Sequence, residues 1–148
     1  MNCLEWDDGL QVGVKHIDDQ NKHLFGLLDK IASISSSSEQ TNNTGNFSYS
    51  QAVKMSPITA ELIDQVINSF IKDEQTMNEL GYPELALQEQ QHLDFVKMLI
   101  VEFDLHPMNI IPSIEILVNL ANLLRCHIMT EDKKYAAYLY DNGNKCTR

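Results

Sequence analysis

From Asp18 onward the apolar residues of this chain recur at intervals of three and four, the period of an α-helix with one buried face, and strand signals are absent. Four segments carry the pattern. The first runs from about Asp18 to Ile34, with Leu24, Leu27, Leu28, Ile31 and Ile34 on its apolar side and an acidic first turn that suits the helix dipole. The stretch from Ser35 to Met55 is polar, with few apolar anchors, and reads as a flexible surface loop. Ser56-Pro57 then pairs a capping residue with proline at a first helical position, which predicts a second helix from there to about Leu80, stopped by Gly81-Tyr82-Pro83. A third helix is predicted from about Glu84 to Leu105, because the residue before Pro107 is pushed out of the helical region. The fourth is expected from near Pro112 to about Tyr140, ahead of Asn142-Gly143. Short connections after the second and third helices favour antiparallel neighbours. The expected fold is all-α: an antiparallel up-down-up-down four-helix bundle, with an N-terminal arm and a long polar loop between helices 1 and 2.

A length of 148 residues supports one domain with a real core and is short for two, so residues 1–148 are read as a single unit. The formal charge of −10, with only 11 Lys and Arg, disfavours phosphate backbones and anionic lipid heads. Nucleic acid and membrane surfaces are therefore not expected partners. The first ten residues hold Glu5, Asp7 and Asp8 and no apolar core of a leader, so no secretory signal is read and a cytoplasmic location is expected. The longest apolar run, near Ile110 to Leu124, is interrupted by Pro112, Glu115, Asn119 and Asn122, as in a buried helix. Three cysteines, Cys3, Cys126 and Cys146, lack any CxxC spacing and fit reduced thiols.

Several polar residues fall on the apolar stripes. On the second helix Leu62, Val66, Ser69, Asp73 and Met77 share a face; on the third, Leu85, Gln88, His92, Phe95 and Leu99; on the fourth, Leu117, Leu120, Leu124 and His127. Burying a carboxylate such as Asp73 or Asp132 without a counter-charge costs at least several kcal/mol, so each needs a cation, a proton or a charged partner if it lies inside. Two arrangements meet that need. In one a metal ion supplies the charge; in the other His92 and His127 are neutral and hydrogen-bond Gln88, Asn21 or the carboxylates as a polar plug. His127 and Asp132 are five residues apart, roughly 140° around an ideal helix, so they share a face only where the helix is locally bulged. His16, His23 and His106 read as surface residues. Glu74 follows Asp73 and points about 100° away from it.

The segment DEQTMNELGYP from Asp73 to Pro83, with His92 and the run His127-Ile-Met-Thr-Glu-Asp132, resembles the bacterial hemerythrins. Trp6-Asp7-Asp8, Val12-Gly13-Val14, Ile17-Asp18-Asp19-Gln20 and Tyr135 extend the resemblance over most of the chain. It implies a four-helix bundle built around a non-haem di-iron centre. The family pattern reads QH in the first helix, HFxxEExxM and GYPxxxxHxxxH in the middle, and HIxxxD near the end. At the corresponding positions this chain has Asn21 for the first histidine, Ser69 before Phe70 for the second, Asp73 for the bridging glutamate and Gln88 for the first histidine of HxxxH. His92, His127 and Asp132 match in identity. One iron of the family pair takes its histidines from the first two helices, and that half loses both here. The other half keeps His92 and His127.

The resemblance thus implies a reduced site of at most one metal, iron by family habit, held by His92, His127, Asp132 and Asp73. Two imidazoles with a carboxylate are a recognised set for mononuclear non-haem iron, and zinc also accepts them. Shortening Glu to Asp at position 73 removes ~1.5 Å of reach, which weakens bridging. The expected role is binding of a small gas ligand such as dioxygen or nitric oxide by a protein that is not an enzyme. The alternative is a metal-free interaction or regulatory module; an iron-dependent oxygenase comes third, because no cosubstrate site is visible.

Overall fold

A computed structural model describes residues 4–41, 49–104 and 114–143, and every regular element among them is helical. A short 3₁₀ turn, Asp8–Leu10, precedes α1 (Lys15–Thr41), α2 (Tyr49–Leu80), α3 (Leu85–Asp104) and α4 (Ile114–His127). A π-helical turn, Ile128–Asp132, then leads directly into α5 (Lys133–Gly143). α1 packs on α2 and α4, and α3 packs on the same two, so the four long elements form a closed ring around one interior.

Local chemistry explains most of the boundaries. The Asp7 carboxylate caps the 3₁₀ turn by accepting from the Gly9 N–H at 2.9 Å. Asp18, in the first turn of α1, accepts from the N–H groups of Val12 at 2.8 Å and Gly13 at 3.2 Å, fastening the arm to the helix start. α2 ends in a left-handed Gly81 at φ 69, with Tyr82 N–H donating to the Met77 carbonyl and Gly81 N–H to that of Asn78. This double bond pattern satisfies the last carbonyls of the helix, and the Tyr82 ring packs beside Met77 as such a cap requires.

Two expectations need correction. α1 does not stop at Ile34 but continues to Thr41, and α2 begins at Tyr49, well ahead of Ser56-Pro57, so Pro57 lies inside a helix. The loop expected from Ser35 to Met55 is therefore largely helical, and only residues 42–48 of it lie outside the described part. Polar composition by itself does not exclude a helix, since serine is tolerated there when its hydroxyl bonds the preceding turn, as it does just ahead of this stretch. Ser33 Oγ donates to the Asp29 carbonyl one turn back at 3.0 Å, and Ser35, four residues past Ile31, continues the buried stripe. The expected ends at Leu105, His106-Pro107 and Pro112 also lie outside the described residues. The segment expected as one fourth helix is α4, the π turn and α5 in succession, and α5 ends at Gly143 rather than before Asn142.

Among the described residues the interior has two apolar clusters. The larger includes Leu24, Phe25, Leu28, Val66, Leu99 and Leu120; the smaller holds Ile17, Met77, Tyr82 and Tyr135. Along every helix a polar residue falls between the two. Asn21 stands between Ile17 and Leu24, Ser69 and Asp73 between Val66 and Met77, Gln88 and His92 between Leu85 and Phe95, and Asp132 between Ile128 and Tyr135. A polar layer thus crosses the bundle at one level. Among the described residues no helix is long and apolar enough to cross a membrane.

Candidate metal centre

The polar layer is deeply enclosed. Gln88 is fully buried, and Asn21, Ser69, His92, His127 and Asp132 are all below one-tenth exposure, while Asp73 is partly covered. Asn21, Ser69 and Gln88, which occupy histidine positions of the pattern, thus face the interior. His16 and His23 are exposed, and His23 Nε2 lies 3.2 Å from Glu61 at the surface. His106 is outside the described residues. Cys126 is an exposed free thiol.

Asp132 is the hub of the layer. Its Oδ2 accepts from the Asn21 amide at 3.3 Å, and its Oδ1 from the Gln88 amide at 3.5 Å. His127 Nε2 approaches the same Oδ1 at 3.1 Å. The π turn creates this contact: one extra residue in the turn rotates Asp132 back onto the face of His127 despite their spacing of five. Thr130 supports the turn by donating its hydroxyl to the Cys126 carbonyl at 2.7 Å. Burial alone would raise the Asp132 carboxyl, but the His127 ring and the Asn21 amide outweigh it and hold it below the usual range.

Each histidine is oriented from behind by a residue that periodicity did not single out. His92 Nδ1 lies 3.0 Å from Glu74 Oε1, and His127 Nδ1 lies 2.7 Å from Gln91 Oε1. For His92, the Glu74 carboxylate at Nδ1 draws the ring N–H there and leaves Nε2 as a lone-pair donor. For His127, Nε2 is buried 3.1 Å from Asp132 Oδ1, outside hydrogen-bond geometry with it; facing an ionised carboxylate the contact is favourable with a proton on Nε2, and a cation between the two would take that proton's place. The signal for Glu74 was its position one residue from Asp73, which carries it toward α3 rather than into the layer. Phe70 stacks on the His92 ring at 3.9 Å and 5°, and the two imidazole centroids are 4.9 Å apart.

The electrostatics separate the titrating groups. Burial, then the nearby His127, pushes His92 down to about 3, so it is neutral at physiological pH. Burial, then the charge of Asp132, lifts Asp73 to about 7. Burial and the neighbouring Glu89 also raise Glu74. Glu131, beside Asp132, is buried as well, with Oε1 3.3 Å from Lys134 Nζ, so neither acidic residue of the turn faces solvent. Tyr135 is pushed up to about 12 by burial and by Asp73. Among the described residues no three His, Cys, Asp or Glu side chains stand together as a ready-made metal cage. What the layer offers is two oriented imidazoles and two carboxylates, Asp132 satisfied by amides and Asp73 disposed to hold a proton.

The chain is 26% identical to bacteriohemerythrin of Stenotrophomonas maltophilia across 149 aligned positions, which take in all of this chain and 89% of that protein. No protein-family model matches it, and no solved structure does. The likeness runs over the whole of this chain, including the four helices and the polar layer between them.

Proposed function

We propose that this hemerythrin-like chain is a non-enzymatic binding protein whose bundle holds at most one metal ion, iron by family likeness, between His92, His127, Asp132 and Asp73. The relative's name supports iron and dioxygen chemistry in general, and the specific role here is our inference. The helices are taken to run up, down, up and down, which brings ligands from α2, α3 and the end of α4 to one level. The observation that carries the reading is the approach of two ligand-type atoms within the buried layer, His127 Nε2 and Asp132 Oδ1 at 3.1 Å, with His127 Nδ1 fastened to Gln91. The reading is of one ion rather than two, because Asn21 and Ser69 stand where the family pattern has the nitrogen ligands of the other half. An ion bound there would supply open coordination positions for a small ligand of the dioxygen or nitric oxide class.

A specific observation favours a second reading. The Asn21 and Gln88 amides donate to the two oxygens of Asp132, serving that carboxylate without a cation. In this reading the layer is a metal-free plug in an interaction module. Elemental analysis after anaerobic reconstitution with ferrous iron separates the two. One metal per chain, lost in His127→Ala, supports the metal reading; no metal supports the plug; two metals refute the reduced site.

A further inference from the structure

Outside the polar layer, α2 and α3 enclose an open cleft of about 540 Å³. Its walls are apolar: Ile67, Phe70, Ile71, Ala86, Leu93 and Val96. Two of these are unusually exposed for their type, Ile71 at 49% and Leu93 at 47%. Glu74 and Glu89 share the cleft, His92 forms part of its floor, and no lysine or arginine lines it. The volume lies within the range of small-molecule sites, which are mostly apolar with a few placed polar groups.

The two carboxylates choose the ligand. Oε1 of Glu74 is engaged by His92, while the side chain remains 28% exposed and able to accept another hydrogen bond. An organic anion would meet two like charges with no basic group to offset them, and an uncharged molecule would gain only the apolar walls. A cation gains both. We propose that the α2–α3 cleft binds a small organic amine with an apolar tail, its ammonium held by Glu74 and Glu89 and its tail covered by Ile71, Leu93 and Val96.

This site is distinct from the metal position but touches it. Glu74 holds Nδ1 of His92, so an ammonium on Glu74 acts directly on a residue assigned to the metal. That consequence rests on the metal reading above, whereas amine binding to metal-free protein tests the cleft alone.

The test uses metal-free, full-length protein and three probes of equal length: hexylamine, hexanol and hexanoate, followed by amide chemical shifts in ¹H–¹⁵N spectra near neutral pH. Hexylamine is expected to give saturable shifts around Ile71, Glu74 and Leu93, about three- to tenfold tighter than hexanol, with hexanoate weaker than both. Glu89→Gln should erase most of the preference for amine over alcohol, and Leu93→Trp, which fills the cleft from an exposed position, should abolish binding while the helical circular dichroism is unchanged. Hexanoate binding as tightly as hexylamine, shifts centred elsewhere, or no saturation would overturn the proposal. So would a concentration-dependent dimer that Leu93→Trp disrupts in protein showing no amine binding, since the cleft would then be a self-association surface.

Discussion

His127 Nε2 stands 3.1 Å from Asp132 Oδ1 across a π-helical turn, although an ordinary helix would point two residues of that spacing in different directions. Without the extra residue in the turn, Asp132 would leave the layer, and the amides of Asn21 and Gln88 would lose their acceptor. A bulge of this kind weakens helical hydrogen bonding, and it recurs at functional sites because it re-aims a side chain. Asp132→Ala is therefore expected to destabilise the metal-free protein by about 1–3 kcal/mol, through the buried donors it strands. Urea unfolding with chelator present measures it. An unchanged midpoint would mean that the hub is dispensable.

Orientation of the imidazoles from behind should show in metal affinity. Glu74→Ala and Gln91→Ala remove the partners of the His92 and His127 Nδ1 atoms while leaving every proposed ligand in place. Each is expected to weaken metal binding roughly 10–100-fold. Competition with a chromophoric chelator gives the constant, and wild-type affinity in both variants would show that these contacts do not support a ligand.

The opposed shifts of Asp73 and His92 make a pH prediction. Asp73 rises from 3.8 to about 7, so the native state keeps a proton that the unfolded chain loses; this contribution is present at low pH and is lost as pH rises toward 7. His92 falls from 6.5 to about 3, so its contribution is present above pH 6.5 and is lost as pH falls toward 3. Between roughly pH 4 and 6.5 the two slopes oppose and nearly cancel. Asp73→Asn should unmask the histidine, giving metal-free protein whose stability rises with pH across that window and which exceeds wild type near pH 8 by on the order of a few kcal/mol. Urea midpoints at several pH values test this, and parallel curves for the two proteins would contradict it.

Asn21, Ser69 and Gln88 are buried at the level of His92 and Asp132. Replacing all three by histidine is expected to allow a second iron and produce the visible absorption of an oxidised di-iron pair. Elemental analysis and the optical spectrum are read together. A folded triple variant that still takes no second metal would place one of the three side chains outside ligand reach.

Helix punctuation gives a paired expectation of opposite sign. Gly81→Ala forces a side chain into a left-handed φ with nothing to clash against, and should cost about 1 kcal/mol. Pro57→Ala restores a helix-interior N–H and should add roughly 1–3 kcal/mol. Thermal melts decide both, and a stabilising Gly81→Ala would argue against the cap.

The sequence by itself determined the helical class, the buried faces and the level of the polar layer, because a period of 3.6 carries a residue's face with it and the likeness to bacterial hemerythrins supplies the register. It determined the end of α2 as well, since Gly81 carries its own conformational reason. It did not reveal the reach of α1 and α2 through the serine-rich stretch. There Ser35, four residues past Ile31, carries the buried stripe on into a segment of loop-like composition. Only the tertiary structure decided which neighbours serve the site. Glu74 and Gln91 belong to no apolar stripe, and they matter because α2 and α3 bring them against rings whose orientation no one-dimensional spacing records. The turn that joins His127 to Asp132 was legible as a requirement, and the folded chain meets it with a π turn because Asn21 and Gln88 wait on the facing helices to receive the carboxylate.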